Sequence, residues 1–92
     1  MIPSSPPSYV SHYLQVGSLL CPMVLVRPLE HGGFELEPFT GECARTVFLE
    51  GTLRLEAPTC PLATEPRRAP LAALQQLLAE HSGWQLLLPS VQ

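Results

Sequence analysis

Residues 70–89 read PLAALQQLLAEHSGWQLLLP, and this stretch decides the fold class. Proline suits the first turn of a helix, where its missing N–H would have no partner anyway. Leu71, Leu74, Leu77 and Leu78 then recur at spacings of three and four, opposite Gln75, Gln76 and Glu80, which makes one apolar stripe on a helix. His81 falls in the last turn and Gly83 is placed to end it. Trp84 and residues 85–88 follow at once and stop at Pro89, which predicts a final strand returning along a sheet.

Upstream, the pattern is that of strands. Residues 12–16 alternate Tyr13 and Gln15 with Leu14 and Val16 before Gly17 and Ser18 break the run. Residues 23–27, MVLVR, are apolar at consecutive positions and closed by Pro28, as in a strand with both faces covered. Residues 33–37, GFELE, set Phe34 and Leu36 on one face and Glu35 and Glu37 on the other, so the two segments predict an antiparallel hairpin around residues 28–32. Residues 44–50 and 52–57 flank Gly51 and read either as a tight hairpin or as one long strand bent at a glycine bulge. Prolines 58, 61, 66 and 70 make residues 58–70 the longest irregular connection. The expectation is an α+β domain: a mainly antiparallel sheet of five to six short strands with one C-terminal amphipathic helix followed by a last strand. The alternative is a small β-barrel closed by the helix. Residues 1–8, MIPSSPPS, read as a flexible Pro/Ser-rich arm, and residues 9–92 as a single domain.

The chain has no lysine, aspartate or asparagine. That removes the Schiff-base lysine, the P-loop lysine and the aspartates of EF-hand sites. It also leaves Gly, Pro, Ser and Thr to punctuate the fold without the usual Asn and Asp. Net charge is −3 and the arginines are dispersed, apart from the pair Arg67 and Arg68, so no basic stripe exists to neutralise phosphates and no nucleic-acid partner is expected. The longest apolar run, residues 16–26, is broken by Gly17, Ser18 and Pro22 and falls well short of the ~20 residues that span a bilayer. No basic residue precedes Arg27, so a secretory leader is not expected, and the chain reads as soluble, cytoplasmic and without a membrane partner.

Cys21, Cys43 and Cys60 are odd in number and widely spaced, which fits reduced thiols better than a disulfide framework; neither they nor His12 and His31 show metal-ligand spacing, so no metal or cofactor is expected. Glu30 beside His31 could in principle orient an acid and a base, but adjacent side chains point apart, and an exposed turn is the better reading. Glu35 and Glu37 are expected to pair with arginines of neighbouring strands rather than to act as a catalytic carboxylate pair. No cysteine has a neighbour that would lower its thiol pKa. No residue is assigned a catalytic role.

Physical bookkeeping gives the functional expectation. Charged residues are 14% of the chain, against roughly 25% in typical soluble domains. A helix of about 13 residues is roughly 20 Å long and shields only part of one sheet face. Residues 23–26, 47–49 and 86–88 are nevertheless apolar on both faces. The surplus must be hidden by a second copy or by closure into a barrel. The first expectation is therefore a small homodimeric binding protein of accessory or adaptor type that recognises another protein. The alternative is a small-molecule-binding barrel taking an apolar ligand, with isomerase- or hydrolase-type Glu/His chemistry. The ligand or partner surface is placed at Tyr13, Phe39, Trp84 and the loop His31, Gly32 and Gly33.

Overall fold

A computed structural model describes residues 7–30, 32–41 and 46–89. Its sheet contains β1 (Ser8–Val16), β2 (Leu19–Pro22), β3 (Val24–Pro28), β4 (Phe34–Pro38), β5 (Thr46–Glu56), β6 (Arg67–Arg68) and β7 (Gln85–Leu87), with the helix α1 (Leu71–Glu80) between the last two. The fold is α+β with a mixed, mostly antiparallel sheet. The sheet does not close into a barrel, so the barrel alternative is excluded.

β1 is the central strand. On one side it pairs antiparallel with β2 and β3 in a single register: Tyr13 faces Pro22 and Val10 faces Leu25. β2 and β3 are thus two halves of one arm of a hairpin, interrupted at Met23, whose φ of 52° is left-handed. The Met23 N–H still donates to the His12 carbonyl, at 3.1 Å. The hairpin turns on Gly17 and Ser18, with Gly17 first at φ 58°, as a type II′ turn demands. Gly17 and Ser18 therefore do not end the strand region. They reverse it, and residues 19–22 form a strand that periodicity did not single out. The predicted β3–β4 hairpin is present, with Val26 opposite Leu36 and Arg27 opposite Glu35.

On its other side β1 pairs with β5, in parallel. Residues 46–56 form one strand rather than a hairpin. The register shifts between Ser11 and Tyr13, which face Leu49 and Thr52, so Glu50 and Gly51 bulge; Gly51 takes a φ of 98°. Ser11 repairs the ladder there: its buried hydroxyl accepts from the Leu53 N–H at 3.2 Å and donates to the Tyr13 carbonyl. β7 closes the far side of β5 along Arg54, Leu55 and Glu56. Residues 58–70 are less irregular than expected. Ala57 bridges Cys60, and β6 runs parallel to β2. Gln15, 4% exposed, holds this segment by donating its amide to the Gly17 and Ala63 carbonyls, both at 2.8 Å.

The helix starts after Pro70, which sits extended at the N-cap position without a side-chain cap. Capping therefore adds little, and helix stability has to come from tertiary packing of the leucine stripe. Leu74 is fully buried, while Leu71, Leu77 and Leu78 pack at the margin of a core formed by Leu14, Val16, Val24, Val26, Leu36, Leu53, Leu55 and Trp84. At the other end His81 is extended, and the Trp84 indole N–H donates to the Leu78 and His81 carbonyls at 3.0 and 3.1 Å. Trp84 thus caps the helix C-terminus from within the core.

The covered and uncovered faces are fixed by alternation. Val24 and Val26 belong to the helix-side core, so Leu25 and its partner Val10 point to the opposite face, where no helix lies, and both are buried. The register then carries an apolar row across that face from Leu25 through Val10 to Phe48. The face opposite the helix is not uniformly polar, as the packing argument expected.

Candidate functional site

Two regions stand out, one on each face. The first is a cleft of about 530 Å³ between the β3–β4 loop and the C-terminal end of α1. Leu29, Phe34, Leu78 and Trp84 give it apolar walls, while Gly32 and Gly33 form its rim. Gly32 adopts φ 89°, which keeps the loop tight, and its N–H donates to the Leu29 carbonyl at 3.2 Å. Gln75 reaches from the helix to the Leu36 carbonyl at 2.8 Å, which joins the helix to the outer edge of β4. His81 packs edge-on against Trp84, with centroids 6.0 Å apart, and its Nδ1 is 2.8 Å from the Thr59 hydroxyl.

The second region lies on the uncovered face. Phe48 is 50% exposed and touches His12 and Phe39 edge-on, with ring centroids 5.7 and 6.3 Å apart. The three rings stand beside the Leu25–Val10–Phe48 row. Toward β4 this face becomes charged: Arg27 pairs with Glu35 at 2.7 Å and with Glu37 at 2.8 Å. The charge ladder expected for the two glutamates is therefore present, with one guanidinium holding both carboxylates. Glu37, and then Glu35, raise the pKa of that guanidinium. The group is solvated and has the character of a surface ion-pair network.

The residues assigned from sequence thus divide between places. Gly32, Gly33 and Trp84 meet in the cleft. Phe39 is on the other face with Phe48. Tyr13 lies toward the β2–β6 side, where the Arg68 guanidinium stacks over its ring at 5.4 Å from the centroid and donates to its hydroxyl at 2.8 Å. His31 lies outside the described residues, as do Cys43 and residues 1–6 of the proposed arm, whereas Ser8 already belongs to β1. Phe48 is absent from the surface expected from sequence, where His12 enters only as a candidate metal ligand. A signal for Phe39 existed, because residue 39 has the parity of Glu35 and Glu37 and so shares their face.

Glu30 is exposed in the turn. Burial raises the thiol pKa of both Cys21 and Cys60, which disfavours the nucleophilic thiolate. Among the described residues no three His, Cys, Asp or Glu side chains are grouped to hold a metal, and no helix is long and apolar enough to cross a membrane. No protein-family model, curated protein or solved structure matches the chain.

Proposed function

We propose that this chain is a small protein-binding domain that works as a homodimer, an accessory or adaptor-like component of the reducing cytoplasm. The observation that carries the reading is the open sheet: the face away from the helix bears the Phe39–Phe48–His12 ring cluster, in which Phe48 is 50% exposed, while Val10 and Leu25 beside it are already buried within the chain. A lone aromatic on a surface is ordinary, whereas a contiguous group of rings with an exposed member suits the core of an interface. The free thiols Cys21 and Cys60 fit a reducing compartment. Native mass spectrometry of the purified chain tests the reading. A dimer supports it, and a monomer at every attainable concentration refutes the homodimer.

A second reading is favoured by the cleft. Its volume of about 530 Å³ lies within the range of small-ligand sites. Its apolar walls would take a small apolar ligand, with Trp84 as the reporter: quenching or a blue shift of its fluorescence on titration with such a compound would support this role, and an unchanged spectrum would count against it.

A further inference from the structure

We draw no further inference here: the strongest candidate, the cleft between the β3–β4 loop and the C-terminal end of α1, belongs to the site already described, and nothing in the structure shows what fills it.

Discussion

Gly17→Ala offers a quantitative check on the β1–β2 turn. A Cβ built on Gly17 would lie 2.5 Å from the Cys60 sulfur and 3.4 Å from a Leu77 methyl, in a buried position with φ 58°. Two costs follow. The left-handed backbone penalises any Cβ by about 1–2 kcal/mol, and forcing an extra methyl into a packed site costs about 1–3 kcal/mol. The sum is about 2–5 kcal/mol against a total stability on the order of 5–15 kcal/mol. For a domain of this size the melting temperature would drop by roughly 10–40 °C. Urea denaturation followed by the single buried tryptophan, Trp84, measures the change directly. A double-mutant cycle separates the two costs: in a Cys60→Ala background the sulfur is gone, so Gly17→Ala should cost only the backbone share, about 1–2 kcal/mol. A penalty below about 1 kcal/mol in the wild type, or the same penalty in both backgrounds, would refute the reasoning.

Other consequences are equally specific. Trp84→Phe keeps most of the packing but removes the N–H that serves the Leu78 and His81 carbonyls; a loss of about 1–3 kcal/mol in chemical denaturation is expected, with fraying of the last helical turn visible in amide exchange. Gln15→Leu leaves the Ala63 carbonyl without its amide partner, and should cost about 1–3 kcal/mol while raising proteolytic cleavage within residues 58–70. Burial raises the folded pKa of Cys21 and Cys60. Their contribution is fully present below the ordinary thiol value of about 8.5 and is lost as pH rises through the folded values. Stability measured from pH 8 upward should therefore fall, and the fall should be shallower in Cys21→Ala; an unchanged slope in that variant would contradict it.

Periodicity made the helix and the β3–β4 hairpin legible, because both are local. Leu71, Leu74, Leu77 and Leu78 can lie together only on a helix, and Phe34, Leu36, Glu35 and Glu37 can be sorted only by a strand. The excess of apolar strand surface is seen only in part: Val47, Phe48, Leu87 and Leu88 stand exposed, while Val24, Leu25 and Val26 are buried within the single chain. The Gly51 region was open in sequence because alternation is identical in a hairpin and in a bulged strand, and the parallel partnership with β1 joins residues far apart in the chain. β2 escaped notice because Gly17 and Ser18 look the same whether they end a strand or turn it.

The candidate site shows the same division. That aromatic residues and a glycine loop would gather around Trp84 could be expected for Gly32 and Gly33, which one short hairpin carries over the end of the helix. The separation of Tyr13, Phe39 and Trp84 depends on which strands pair with which, and no local spacing sets that. Composition and spacing alone determined the helix and the β3–β4 hairpin, since each follows from the few residues nearest in the chain. Tertiary structure decided which strand lies beside β5 and which face Phe48 occupies, because these depend on contacts between segments that the chain joins only through long loops.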